Sequence, residues 1–590
     1  MIQGKNRRLA NVKTRRETGL DYVMFNLDLN TPFGKKQLKE MKPYYPGEEE
    51  NLRQELDRID HMIAFVKQNQ VLTDKIREVF MEVKDPILTI QRSGSTTLST
   101  VELFEVKSLL LQMRQLRKLT IEHEIGDYQS AHCSPECQTA GNGNPAKAEA
   151  AGEHNVDSSV TDNGNEVKTV PEEYFLDDTE DLLDELDPRR DRMNTFYIYN
   201  EFSEKLEEYR NKKRECELQI RKEQKKTREE IRKKYGVQLT PKFDIVVAKS
   251  HPDFEKITNL DELEMVDQDY MSVTMQLKPT DAVYEQVRAT EELNEKIEME
   301  EEKVREYLSQ KISEKTDVIL DNCKKIGALD LALTRAIYAI KHDMVKPEIT
   351  EEHIISFENG RNLQVEDIIK AKGKTYCPIS LSLKDGVTLI TGANMGGKTI
   401  SLKLAGQIPI LAQYGFFVPA EKAKIGLSNY MQILIGDSQS VERGLSSFGS
   451  EMEELKEILD KGQDRSLILI DEIASGTNPT EGTALTKSLV DYLIEKPYIS
   501  LITTHFESVT ERDGIVNMQV RGLADCDFRL LNRQIQNANR RDRINIISKY
   551  MDYRLYRVDN EAQVPKEALS IAAMLGIDKA IIEGAKKYIK

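Results

Sequence analysis

Apolar residues recur every three to four positions between Leu52 and Val66 and again between Leu103 and Leu119, with charges between them. That period predicts amphipathic helices over residues 1–128. Between Phe196 and Tyr235 charges dominate and predict one long, solvated helix, whereas Phe243–Met275 alternates enough for short strands or loops. From about Thr280 to Cys323, Leu293, Ile297, Val304, Leu308 and Ile312 form an intermittent seam suited to helix-on-helix packing. After about Val345 the pattern changes. Short apolar runs at Val387–Thr391, Gln432–Gly436, Leu467–Ile470 and Ile499–Ile502 alternate with helical stretches, among them Glu451–Lys461 and one ending at Ile494. Unbroken apolar strands suit a sheet covered on both faces, and the β-α-β order predicts a mostly parallel sheet with right-handed crossovers.

Composition interrupts this order once. Residues 129–192 are rich in Asn, Gly, Ser, Asp and Glu, with Gly141-Asn142-Gly143-Asn144-Pro145 and the acidic run Asp177–Asp187. Little there is apolar enough to offset the entropy of ordering, so the expectation is an acidic, low-complexity, disordered insert. With 590 residues, more than one domain is expected. A formal charge of −16 excludes a uniformly basic nucleic-acid binder but not a local basic face. Such a face exists in sequence: Arg210–Lys234 holds twelve Lys/Arg against five Glu. It is either an ordinary solvated helix face or a surface for phosphate backbone. Six cysteines make no disulfide framework, which predicts a reducing cytoplasm. His132, Cys133 and Cys137 hint at a metal knuckle, but no second Cys/His pair stands at ligand spacing, so no metal is expected there. No apolar run approaches membrane-spanning length.

The chemistry concentrates after the Val387–Thr391 strand. Gly392-Ala393-Asn394-Met395-Gly396-Gly397-Lys398-Thr399 fits G-x-x-x-x-G-K-[ST]. The glycines let backbone N–H groups face inward around phosphates, Lys398 reaches the β/γ-phosphates, and the Thr399 hydroxyl ligates Mg²⁺. A helix starting at Lys398 adds the positive end of its dipole. The candidate nucleotide residues are Gly392, Asn394, Met395, Gly396, Gly397, Lys398, Thr399 and Ile400. Asp471 and Glu472 close the next apolar strand, where such sheets bind ligands. Asp471 is the candidate Mg²⁺ ligand and Glu472 the candidate activator of water, the alternative for Glu472 being a solvated strand-end carboxylate. His505, after Ile499–Ile502, is placed either to sense the γ-phosphate or as a structural histidine. ATP and Mg²⁺ are the expected cofactors.

These residues resemble the MutS family of ABC-type ATPases. The matches are Thr391–Thr399, Gly436-Asp437-Ser438-Gln439-Ser440, Leu445-Ser446-Ser447-Phe448, Asp471-Glu472 through Gly482, and Thr503-Thr504-His505-Phe506. Leu29–Leu38 resembles the start of the family's helical core and Ala568–Ile589 the helices after its ATPase. Ala393 departs from the family's usual proline. The resemblance implies an α/β P-loop ATPase domain with a mostly parallel sheet, joined to an all-α lever and clamp region. Residues 1–128 would open the lever, 193–344 would form the clamp helices and returning lever, 345–530 the ATPase domain and 531–590 its helical extension. It also implies a homodimer or heterodimer in which Ser446 and Ser447 cap the partner's γ-phosphate; an ordinary helix N-cap at Ser447 or Ser450 is the alternative. Tyr376 would stack on adenine or serve as a core tyrosine.

Because the core resemblance starts by about residue 20, the expected branch lacks the N-terminal mismatch-reading and connector domains, and the sequence shows no Smr domain. Two functions follow. One is a cytoplasmic, DNA-binding ATPase of the mismatch-repair or recombination type, an ATP-driven dimeric clamp on double-stranded or branched DNA without true mismatch reading. The other is an ATP-dependent reactivating chaperone whose client is an adenosylcobalamin-dependent aminomutase. No membrane partner is expected.

Overall fold

The computed structural model describes residues 8–122, 169–392, 397–436, 447–506, 509–510, 514–523, 526–536, 539, 543, 546–547, 549–558 and 568–588. They fall into two compact units. One holds residues 78–122 and 175–325; the other holds 8–77, 169–174 and the described residues from 326 onward.

In the first unit, helices Glu204–Tyr235 and Asp281–Glu314 pack along one another. Leu293, Val304, Leu308 and Ile312 of the expected seam are buried. The basic helix stops where Gly236 takes φ +74°, a left-handed cap that costs a glycine little. The chain between the helices folds into an antiparallel sheet of β1 (Asp244–Ala248), β2 (Leu263–Gln268) and β3 (Ser272–Leu277), ordered β1-β3-β2. Val247, Leu263, Val273 and Met275 close its small core over Ile231. The helix expected through Cys323 is instead two, Asp281–Glu314 and Thr316–Lys341, broken at Lys315.

The disorder expected for 129–192 is corrected over residues 169–192. Glu180–Leu186 is a helix that buries Leu182, Leu183 and Leu186. Its carboxylates are met by distant cations: Arg114 pairs with Glu180, and Arg192 spans Glu180, Asp184 and Asp187. Behind them Lys107 Nζ stands 3.2 Å from Asp187 Oδ1, both side chains fully buried. Composition counted the charges of this run but not the arginines that neutralise them. The rest of the expected insert, 129–168, lies outside the described residues.

The second unit carries two sheets. The smaller is ordered β4-β8-β5-β6, from β4 (Glu348–Thr350), β5 (Ile354–Gly360), β6 (Ile379–Lys384) and β8 (Lys422–Gly426). The larger is built from β7 (Gly386–Thr391), β9 (Tyr430–Ile435), β10 (Ser466–Asp471), β11 (Tyr498–Thr503), β12 (Ile515–Gly522) and β13 (Asp552–Val558). Its order is β13-β12-β7-β11-β10-β9, parallel throughout except for the antiparallel edge strand β13. Helices Lys398–Gln413 and Pro479–Ile494 cover it, and β10 is buried from Ser466 to Ile470 and β11 along its whole length.

Residues 8–77 differ from the expected boundary at 128. They belong to the unit that holds the large sheet, where Thr14 Oγ1 donates to Gln432 Oε1 at 2.9 Å and accepts the Ile433 N–H at 3.2 Å. A buried hydroxyl that satisfies strand β9 on both sides holds this segment to the sheet. Among the described residues no helix is long and apolar enough to cross a membrane.

Candidate functional site

Strands β7, β10 and β11 end side by side, and their last residues meet. The register pairs Ile390 with Thr503 and Thr503 with Asp471. Beyond β7, Gly392 has φ +130° and Gly397 φ +81°, conformations that side-chain-bearing residues rarely adopt. A Cβ on Gly397 would come within 3.0 Å of the Tyr553 ring. Helix Lys398–Gln413 starts there, with Lys398 almost fully buried.

Five side chains converge at this edge. Lys398 Nζ lies 2.7 Å from Glu472 Oε1 and donates to the carbonyl of Gly392 at 3.1 Å. Thr399 Oγ1 donates to Asp471 Oδ2 at 2.7 Å. Thr503 donates its hydroxyl to the other Asp471 oxygen, and its own carbonyl and hydroxyl both take the Glu472 N–H at 3.1 Å. Glu472 and Ala474 have φ +47° and +59°, each a departure costing about 1–3 kcal/mol for a residue with a Cβ. The turn they form is gripped from another helix: the Ala474 N–H donates to Glu451 Oε2 at 3.3 Å. Burial pushes the Glu451 carboxyl up, the Ala474 amide opposes this, and Glu454 adds to it. Chemically, the edge offers a buried ammonium, a pair of hard oxygen donors suited to a divalent cation, and a carboxylate held in a strained turn.

Of the residues singled out in the sequence, Gly392, Gly397, Lys398, Thr399, Asp471 and Glu472 come together here, and Ile400 follows on the same helix. His505 lies two residues beyond β11, exposed, with its ring 4.2 Å from that of Phe506. Asn394, Met395, Gly396 and Ser446 lie outside the described residues, and the helix after Ser446 opens at Ser447. Tyr376 is buried at 8% exposure, and its hydroxyl accepts the Asn362 N–H at 3.0 Å. Burial pushes that phenol up to about 12. In this conformation the side chain packs among the buried residues. Sequence reasoning missed Thr503, Glu451 and Tyr553 as parts of the site. Thr503 carried a signal as a strand-end residue inside the Thr503–Phe506 match, though with no role given to it; the other two are brought in by tertiary contact.

The α/β sheet whose strand ends hold this lysine, threonine and carboxylate pair falls within residues 388–590 for the most part, and those residues match the family description MutS domain V, which is a P-loop ATPase domain. The chain is similar to Endonuclease MutS2 of Fusobacterium nucleatum, 33% identical over 298 residues, covering 49% of this chain and 35% of that protein. Endonuclease MutS2 of Shouchella clausii is 30% identical over 334 residues, 55% of this chain and 38% of that one. DNA mismatch repair protein MutS of Salinibacter ruber is 30% identical over 302 residues, 50% and 31% respectively. The matches thus span about a third of the length of each of these relatives. Residues 388–590 match MutS domain V, and over about half of its length the chain is similar to proteins named Endonuclease MutS2 and DNA mismatch repair protein MutS.

Proposed function

We propose that this chain is a cytoplasmic ATPase that works as a dimeric, nucleotide-driven clamp on DNA. The convergence of Lys398, Thr399, Asp471 and Glu472 on one sheet edge carries the ATPase part. Thr399 and Asp471 would hold Mg²⁺, which when bound neutralises developing charge on the phosphates. Lys398 would leave Glu472 for the β/γ-phosphates, and the freed carboxylate would orient the attacking water. Thr503 keeps Asp471 and the Glu472 amide in place while this happens. His505, close after the same strand end, would contact the γ-phosphate side. The resemblance assigns Ser446 and Ser447 to the partner's nucleotide. Lys398→Ala is expected to abolish nucleotide binding, and Glu472→Gln to retain ATP while stalling turnover, in single-turnover and filter-binding assays. Normal turnover by Glu472→Gln would overturn the assignment.

The DNA part rests on the basic helix and on the names of the relatives. Arg214, Arg221, Lys225 and Arg232 are exposed and spaced by seven, four and seven, so they line one face for about 27 Å at 1.5 Å per residue. The neighbouring helix Asp281–Glu314 carries eleven Asp/Glu against five Lys/Arg and takes up some of this charge, as in the 2.7 Å Arg210–Glu301 pair. Phosphate contacts position a duplex without reading its bases, so binding without mismatch preference is expected. Reversing the four charges to Glu should weaken duplex binding and flatten the slope of log affinity against log salt by about 3–4. Equal slopes for the two proteins would refute the stripe. A monomer that hydrolyses ATP at full rate in light scattering and turnover assays would refute the dimer.

A further inference from the structure

Glu451 stands on helix Ser447–Lys461, five positions after Ser446, yet the group it holds is the backbone of the turn that follows Asp471. That turn has two non-glycine residues in left-handed conformations within three positions, Glu472 and Ala474. Such a turn persists only where its surroundings over-determine it. The ties are few and specific. The Glu472 N–H is held by Thr503, the Ser475 N–H reaches the Glu472 carbonyl at 3.3 Å, and the Thr477 N–H reaches the Ala474 carbonyl at 3.4 Å. All of these come from the strand edge or from the turn itself; Glu451 alone among them reaches in from the helix that opens at Ser447. Ala474 is fully buried, and Gly482 backs it so closely that a Cβ there would lie 2.8 Å from the Ala474 carbonyl oxygen. The turn therefore cannot drift away from Glu451 without moving helix Pro479–Ile494. One turn further on, the helix of Glu451 is anchored where Lys13 Nζ meets Glu454 at 2.6 Å.

The geometry points to Glu451 as a positioning residue: its carboxylate, through the Ala474 N–H, fixes the turn that aims Glu472, and so ties the helix after Ser446 and Ser447 to hydrolysis in the same chain. This rests on the ATPase reading above. Under that reading those serines serve a partner's nucleotide, so Glu451 would report occupancy of one site to the water-activating carboxylate of the other. Glu451 touches neither nucleotide nor water, and acts only through the turn.

The test compares Glu451→Ala with Glu451→Gln in the full chain. A Gln side-chain oxygen still accepts the Ala474 N–H, and Ala leaves it unheld. Glu451→Ala should lower kcat for ATP about 10- to 100-fold, as a misplaced catalytic group does. Its KM and its affinity for a non-hydrolysable ATP analogue should change less than about 3-fold, since Lys398 and Thr399 are untouched. Glu451→Gln should recover most of the turnover. Native-state amide exchange supplies the readout independent of activity: peptides over 472–477 should exchange faster in Glu451→Ala, with β10 protection unchanged. Wild-type kcat in Glu451→Ala, equal loss in both variants, or unaltered exchange would each overturn the proposal. If the wild-type chain shows no turnover while exchange responds as expected, the ATPase reading and the coupling both fall, and the local tie stands.

Discussion

The pairing of Lys398 with Glu472 sets a cost on nucleotide binding that can be measured. The ammonium is 3% exposed and the carboxylate 29%, at 2.7 Å, so phosphate can capture Lys398 only by displacing Glu472. A hydrogen bond to a charged group contributes about 1.5–3 kcal/mol net, and a neutral one about 0.5–1.5 kcal/mol. Glu472→Gln keeps a neutral acceptor for Lys398 and so reduces the competition by about 1–1.5 kcal/mol. At about 1.4 kcal/mol per decade, ADP should bind close to tenfold more tightly to Glu472→Gln than to the wild-type chain. ADP is the ligand to use. It has no γ-phosphate, so relief of repulsion between that group and the carboxylate cannot mimic the effect. Titration calorimetry with and without Mg²⁺ separates the lysine from the metal site, and the gain should persist in EDTA. Unchanged or weaker ADP affinity would show that the pair does not oppose binding.

Two further outcomes follow from the packing. Asp187→Asn leaves Lys107 buried without its counter-charge and should cost the unit of residues 78–122 and 175–325 about 3 kcal/mol or more, read as a lower urea midpoint for that unit. Burial works to raise the Asp187 carboxyl, but the Arg192 amide and the Lys107 ammonium outweigh it and hold it below the ordinary carboxylate range. A depressed carboxyl stabilises fully above its unfolded value of about 3.9 and loses that contribution as pH falls through the folded value. Wild-type stability should therefore drop below about pH 4, and Asp187→Asn should show a smaller drop over the same window. Gly482→Ala gains helix propensity, yet its Cβ would stand 2.8 Å from the Ala474 carbonyl oxygen. Overpacking of about 1–3 kcal/mol should exceed the gain of about 1 kcal/mol, so melting temperature falls; a rise would mean the turn can yield.

The sequence by itself determined what local pattern can carry. A glycine-rich turn after an apolar strand, with Lys398 and Thr399 opening a helix, is a run of nine contiguous residues whose geometry follows from chain stiffness and hydrogen bonding nearby. Asp471-Glu472 could be placed at a strand end for the same reason, and the apolar runs announced a sheet covered on both sides. Tertiary structure alone decided which distant groups complete these pieces. Thr503 meets Asp471 because β10 and β11 are parallel neighbours, Glu451 reaches Ala474 across a helix and a strand, and Tyr376 turns inward to Asn362. The acidic stretch before Asp187 shows the same limit from the other side. Its composition pointed to disorder, but Lys107 and Arg114, far away in the chain, supply the charges that let its leucines pack. Contacts between residues dozens to hundreds of positions apart leave no periodicity in a sequence, because nothing local depends on them until the chain has folded.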